Sequence, residues 1–401
     1  MTNATAVLEA GPAQAVSPRG RFFADQSFHF ETLRNAGYTL SSCADLGEVL
    51  ETVKLITEGD RESWYAAWSA TADRVLERAQ RTRNPLSKGS AYMRACTYQR
   101  TGEFLLPPDD PRRPASFEKT GRMFFQGLDA LGVKYEYFSA PYQNGRLRAL
   151  YTPGPAESEK KPLVVIVGGY DSILEELYPV LGKAALDRGY SVLMYEGPGQ
   201  GEPLRKYGLT FTPEWEKPTA AVLDEFLRTH AKPSKMVLIG MSMGGYLAPR
   251  AAAFETRFDG LVAYDQCFDL AESAGPAVKA AANPLALNNP GVYWMYHTAL
   301  WTLGTKDFEK VLQAVARYKL APVADRIRQD VLILAGTNDH FNPFHQVADF
   351  EKSLVNARSV TTRIFDGPSG GSEHCQCGNY TLVHAAVFDW LLEKFPGDPQ
   401  I

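Results

Sequence analysis

Met236-Val237-Leu238-Ile239-Gly240-Met241-Ser242-Met243-Gly244-Gly245-Tyr246-Leu247-Ala248 is the stretch that decides the fold. Its leading apolar run reads as a buried strand, and from Tyr246 the pattern turns helical, so Ser242 falls on the turn between the two. A side chain exposed on so sharp a turn sits on strained backbone, and strand and helix approach closely there. Small residues are therefore required two before and two after the serine. Gly240 and Gly244 meet the requirement, and Gly245 adds room. The spacing predicts a nucleophile elbow with Ser242 at its tip; an ordinary strand-to-helix turn is the alternative.

A serine hydroxyl is a weak nucleophile near neutral pH, so it needs a general base, and the base needs an acid to fix its tautomer. Behind such an elbow the order is Ser, Asp/Glu, His. Asp339 follows the strand-like Val331 to Ala335, and His374 lies one helix and one strand (Val360 to Ile364) further on. These two are the expected acid and base. Asp265 and Asp366 are rival acids, and His340, His345 and His384 read as packed or surface histidines. An oxyanion must also be held by backbone N–H groups, one from the residue after the nucleophile and one from a loop after an earlier strand. Met243 is the first, and Tyr170, in Gly168-Gly169-Tyr170-Asp171-Ser172, is the choice for the second. Asp171 reads as a loop cap or a substrate contact. The turn Glu196-Gly197-Pro198-Gly199-Gln200-Gly201-Glu202 lacks a phosphate-loop ending and is expected to shape the rim of the site.

Outward from the elbow, short apolar runs alternate with helical segments: Leu163 to Val167, Ser191 to Tyr195, Leu261 to Tyr264, Val331 to Ala335 and Val360 to Ile364. Such alternation predicts a mostly parallel, doubly wound α/β sheet covered on both faces. Before it, two period-two runs flank Asn144-Gly145, a hairpin signal. A helical insertion over about 265–329 interrupts the alternation late in the sheet, and its Trp294, Tyr296 and Trp301 are candidates for substrate contact. Helical patterns start at Leu46, behind a candidate cap at Asp60, near Ser90 and near Ser116. The domain reading is an arm over 1–20, an N-terminal helical lid domain over 21–131 and a catalytic domain over 132–401.

The chain has 401 residues, 42 basic against 46 acidic, a net charge of −4 and 45% hydrophobic residues. That is globular composition without the basic footprint that nucleic acid requires. No apolar run approaches membrane-spanning length, and the features of a secretory leader are absent, so no membrane partner and a cytoplasmic location are expected. Five cysteines, odd in number and mostly far apart, suit reduced thiols. Cys375-x-Cys377 lacks a second pair at zinc spacing, so no metal is expected.

Together, Gly168 to Ser172, Glu196 to Gly201, Gly240 to Gly245, Asp339-His340-Phe341 and His374-Cys375-Gln376 resemble the α/β-hydrolase superfamily. More narrowly, they resemble its branch with an N-terminal helical lid domain, which includes 2,6-dihydroxypseudooxynicotine hydrolase and the fungal heptaketide-shortening pigment hydrolases. The resemblance implies a Ser242-Asp339-His374 triad, no cofactor, and cleavage of a carbon-carbon bond beside a ketone, or of an ester, in a polyketide-like or aromatic small molecule. An esterase, lactonase or acyltransferase is the nearest alternative, and a non-catalytic ligand-binding scaffold a remoter one. It also implies a further acidic residue, for which Asp265, Asp269 and Glu272 are candidates, and a homodimer, with a Trp64/Trp68 stripe that faces either a partner or the main domain.

Overall fold

Eight strands form one sheet: β1 Glu136–Tyr142, β2 Gly145–Thr152, β3 Leu163–Val167, β4 Val192–Tyr195, β5 Met236–Met241, β6 Gly260–Tyr264, β7 Asp330–Gly336 and β8 Ser359–Phe365. Their order is β1-β2-β4-β3-β5-β6-β7-β8, antiparallel where β2 meets β1 and β4 and parallel from β4 to β8. The structure is a computed structural model describing residues 20–281 and 283–396, so the expected arm lies outside the described residues except for Gly20. β3, β5, β6 and β7 are buried along their whole length, as unbroken apolar runs require of strands covered on both faces. β8 is only partly buried, as suits an edge.

The hairpin of β1 and β2 turns one residue earlier than the sequence suggests. Tyr142 pairs with Gly145, so the turn residues are Gln143 and Asn144, and Gln143 takes the positive φ of 48°. Gly145 serves packing instead, because a Cβ there would lie 2.6 Å from Tyr207 Cβ.

Five helices precede the sheet: α1 Gln26–Gly37, α2 Leu46–Val53, α3 Arg61–Arg81, α4 Pro85–Glu103 and α5 Arg113–Leu131. Asp25 and Asp60 cap α1 and α3 by accepting backbone N–H groups of their first turns. α4 starts ahead of the Ser90 expected from its pattern, with Pro85 in the first turn and the Asn84 side chain capping Ser87 N–H. It packs between α3 and α5 and is buried on nearly every face. Trp64 and Trp68 are fully buried; Trp64 lies 4.7 Å from the Phe28 ring, and Trp68 5.7 Å from Tyr98. Burying rings of this size stabilises a core by about 3–5 kcal/mol each relative to alanine. Of the two faces that the sequence left open for this stripe, a partner or the rest of the chain, the structure shows the second: it is internal core. That core runs without a break from these helices onto one face of the sheet, through Leu150, Val164 and Ile166.

Helices Leu270–Ala281, Pro290–Thr302 and Phe308–Val315 connect β6 to β7. With α1, they stand over the carboxyl ends of β5 to β7 and wall in a cavity there. Among the described residues no helix is long and apolar enough to cross a membrane.

Candidate active site

β5 ends at Met241, and the helix Gly244–Ala252 begins three residues later, leaving Ser242 on the turn with φ at +60°. That is the strained conformation expected of a side chain presented above a sheet. The turn closes this tightly because position 240 is glycine: a Cβ there would lie 2.0 Å from the Gly244 carbonyl oxygen. Ser242 N–H donates to Tyr264 O at 2.9 Å, which ties the elbow to β6.

Asp339 and His374 follow β7 and β8 and converge on Ser242. Asp339 Oδ1 accepts the backbone N–H groups of Phe341 (2.8 Å) and Asn342 (3.1 Å), which fixes the carboxylate in its loop. Its Oδ2 lies 2.8 Å from His374 Nδ1, and His374 Nε2 lies 2.8 Å from Ser242 Oγ. An ionised carboxylate only accepts, so Nδ1 carries the proton and Nε2 is left to accept the Ser242 hydroxyl. Burial alone would raise the Asp339 pKa, but His374 and the two backbone donors hold it below the usual carboxylate range. Burial alone would weaken His374 as a base; the Asp339 carboxylate reverses this and raises its pKa above that of a free imidazole.

A second carboxylate faces the same imidazole. Asp265, at the end of β6 with φ at +53°, places Oδ2 3.4 Å from His374 Nδ1. It accepts the Cys375 N–H and, at 3.1 Å, the Gln376 amide. Burial first, and then the charge of Asp339, push its pKa up to about 7. The sequence offers Asp265 both as a rival acid and as a candidate for the further acidic residue; the fold brings both carboxylates to one histidine, with Asp339 making the hydrogen bond. Asp366 caps a turn by accepting Ser369 N–H at 3.0 Å. Asp269 pairs with Lys319 at 2.8 Å, and Glu272 with His345 at 2.9 Å. His384 bonds Val180 O, and His340 packs on Phe30 with ring centroids 4.7 Å apart. Asp265, His374 and Cys375 each offer a potential metal ligand atom within 4.8 Å of the others. Two of the three are already held in the hydrogen bonds above, and burial pushes the Cys375 thiol up, away from the thiolate a metal would take.

The loop after β3 lies directly against the elbow. A Cβ on Gly169 would fall 2.9 Å from Ser242 Oγ, so only glycine allows the approach. Gln200 Nε2 donates to Gly168 O (2.9 Å) and Gly169 O (2.8 Å), and Gly169 N–H donates to Ser172 Oγ at 2.8 Å. Among the described residues neither Tyr170 N–H nor Met243 N–H has a partner within the protein. The 196–202 turn is therefore not a rim: Gln200 and Glu196 are buried, and Glu196 takes the Leu174 N–H at 2.7 Å beside Arg148. Asp171 lines the cavity, and Arg34 (3.0 Å) and Arg100 (3.2 Å) bind its carboxylate.

Ser242 and His374 open into a cavity of about 580 Å³. Phe30 and Arg34 of α1, Phe104 beyond α4, Tyr170, Trp294 and Phe341 line it. Trp294 stacks on Phe104 at 4.7 Å and meets Tyr170 edge-on at 5.8 Å. Tyr296 and Trp301, read with it from the sequence, are not in the wall. Tyr296 packs on Phe308 with ring centroids 5.1 Å apart. Trp301 shares the face of Trp294 but sits two turns further on, roughly 10 Å along the axis. There it lies under the guanidinium groups of Arg113 and Arg205. Phe30, Arg34 and Phe104 were missed in the sequence, and Gln200 was read only as part of a rim turn.

Residues 163–375 match the model of the alpha/beta hydrolase family. The chain belongs to that family. This α/β hydrolase is 30% identical to Hydrolase acrC of Aspergillus aculeatus, over 94% of this chain and 98% of that protein. It is also 30% identical to 20-hydroxy-prefusarin hydrolase FUS2 of Gibberella moniliformis, with the same coverage. Among solved structures it resembles 2,6-dihydroxy-pseudo-oxynicotine hydrolase with a TM-score of 0.71 at 21% identity, covering 91% of this chain and 97% of that one. The agreement extends over the helices before the sheet, so the expected fold class stands for the whole α/β hydrolase.

Proposed function

We propose that this α/β hydrolase uses Ser242 as nucleophile, His374 as general base and acid, and Asp339 as the orienting carboxylate. Its reaction is cleavage of a carbon-carbon bond beside a ketone in a polyketide-like or aromatic small molecule, through an acyl-enzyme. The observation that carries the reading is the continuous Ser242–His374–Asp339 hydrogen-bond chain opening into a largely apolar cavity. Its volume falls within the roughly 300–1,000 Å³ typical of small-molecule sites. Relatives named as hydrolases, one of them of 20-hydroxy-prefusarin, support a small-molecule substrate.

In this reading Ser242 Oγ adds to the ketone carbon as His374 Nε2 takes its proton, and the Met243 and Tyr170 N–H groups receive the oxyanion. Collapse of the tetrahedral adduct breaks the carbon-carbon bond, and imidazolium His374 returns the proton to the departing carbon. That carbon leaves with the electron pair, so it must be stabilised as an enolate or as a phenol-activated ring carbon. A 1,3-diketone or an acylated electron-rich ring is thus the substrate class. Water activated by His374 then hydrolyses the acyl-Ser242, giving one carboxylic acid and one shortened ketone or arene.

The test is incubation with 1,3-diketone, aryl-ketone and matched aryl-ester substrates in ¹⁸O-water, followed by mass spectrometry. One ¹⁸O in the new carboxylate, with loss of the acyl fragment from carbon, is expected. Ester hydrolysis with no carbon-carbon cleavage across the panel would move the assignment to an esterase. Trp294→Ala removes a flat wall, with an expected rise in KM of about tenfold for an aromatic substrate and a smaller change in kcat; steady-state kinetics check it, and an unchanged KM would place the ring elsewhere.

A further inference from the structure

We infer that the N-terminal helices complete the oxyanion hole: Arg34 of α1 and Arg100 of α4 grip Asp171 and thereby fix the neighbouring Tyr170 N–H. The inference rests on the proposed serine mechanism and makes both arginines positioning residues for it.

The loop between β3 and the following helix is held from two sides. On one side, Gln200 of the turn after β4 donates to the carbonyls of Gly168 and Gly169, and the loop's own Ser172 Oγ accepts the Gly169 N–H. On the other side, the partners come from remote helices. Arg34 Nη1 donates to Asp171 Oδ2 at 3.0 Å across 137 residues of chain. Arg100 Nη2 donates to the same oxygen at 3.2 Å and to the Asp171 backbone carbonyl at 2.8 Å across 71 residues. The backbone contact matters most, because it fixes the peptide plane following residue 171 and not only a side chain. Glu176, on the helix that leaves the loop, is forked by the same pair, from Arg34 Nη2 at 2.7 Å and from Arg100 Nε at 3.0 Å. Tyr170 lies between these two sets of clamps, and among the described residues its N–H is left without a partner.

The charges suit a rigid clamp. Arg100 is buried, and Asp171 is held below the usual carboxylate range by the two guanidiniums although burial alone would raise it. A planar guanidinium bonding a carbonyl and a carboxylate at once has one geometry, which an ammonium does not reproduce. An oxyanion hole works only when its donors are already aimed at the position where charge develops, so small displacements cost rate and not binding.

The test compares matched aryl ester and aryl thionoester substrates on the full-length protein. Sulfur is a larger and weaker acceptor, so a donor pair placed for oxygen favours the oxoester. Asp171→Asn and Arg100→Lys, each checked for folding by thermal melting, are expected to lose about 10–100-fold in kcat on the oxoester, with KM within about threefold. The thionoester should lose far less, shrinking the oxo-to-thiono ratio by at least about fivefold. Loss of a purely structural interdomain contact would lower both substrates together. A ratio within about twofold of wild type in the folded variants would overturn the inference. If either variant fails to fold, Arg34→Lys replaces it under the same criterion. A Ser242→Ala variant that kept its turnover would overturn the proposed mechanism itself, and this inference with it, and would be seen separately.

Discussion

Ser242→Ala is expected to lower turnover at least about 10⁴-fold, equivalent to some 5.5 kcal/mol of transition-state stabilisation, with the fold unchanged. The Oγ is the atom that forms the covalent bond. Its hydrogen bond to His374 Nε2 at 2.8 Å is the only one it makes among the described residues, so alanine removes the chemistry and little else. The melting temperature should therefore shift by no more than a few degrees, as about 1 kcal/mol or less corresponds to. His374→Ala should fall to a similar floor, because base and nucleophile act as a unit. Steady-state turnover with the ester and diketone substrates decides it: retention of more than a few per cent of wild-type activity in Ser242→Ala would show that the nucleophile lies elsewhere.

Asp339→Asn should be the milder lesion, and the reason is Asp265. Elsewhere, replacing the orienting carboxylate of a triad costs about 10⁴-fold, because the imidazole is held in the wrong tautomer. Here a second carboxylate oxygen lies 3.4 Å from His374 Nδ1. Burial and then the charge of Asp339 push the Asp265 pKa up to about 7; with Asp339 neutral, the second of these causes is gone and the pKa falls. Asp265 then ionises within the physiological range and accepts the Nδ1 proton. The single variant is expected to lose about 10²-fold, and Asp265→Asn/Asp339→Asn together about 10⁴-fold. The residual activity of Asp339→Asn should rise with pH as Asp265 deprotonates. Profiles of kcat/KM against pH for wild type, both single variants and the double variant check this. An Asp339→Asn enzyme as inactive as the double variant at every pH would remove Asp265 from the account.

The elbow was legible because its constraints are local: a strand, a helix and the glycines that let them meet all lie within a dozen residues. The positions of Asp339 and His374 were legible because chain order and strand ends restrict where an acid and a base can stand. The rest depends on contacts between remote segments. α1 went unread because both its sides are in use: Phe28 packs on Trp64 while Phe30 and Arg34 line the cavity, leaving no single apolar face. Arg34 and Arg100 carry no signal in the sequence; only the fold sets them against Asp171. Tyr296 and Trp301 share a helix with Trp294, but their rings pack on Phe308 and under Arg113 and Arg205 instead of into the cavity. Gln200 sat in a glycine-rich turn whose composition says loop and whose burial, at 2% exposure, says strut. The Asn144-Gly145 pair marked the hairpin correctly but not its turn residues, because packing against Tyr207 also demands glycine at 145.

The most direct measurement of the central claim is covalent trapping. Wild-type protein treated with a fluorophosphonate probe, digested and sequenced by mass spectrometry should carry a single adduct on Ser242, in the peptide spanning Gly240 to Gly245. Labelling should disappear in Ser242→Ala and fall sharply in His374→Ala, because only a serine activated by its base attacks phosphorus at a useful rate. An unlabelled wild-type enzyme, or an adduct on another residue that persists in Ser242→Ala, would contradict the account.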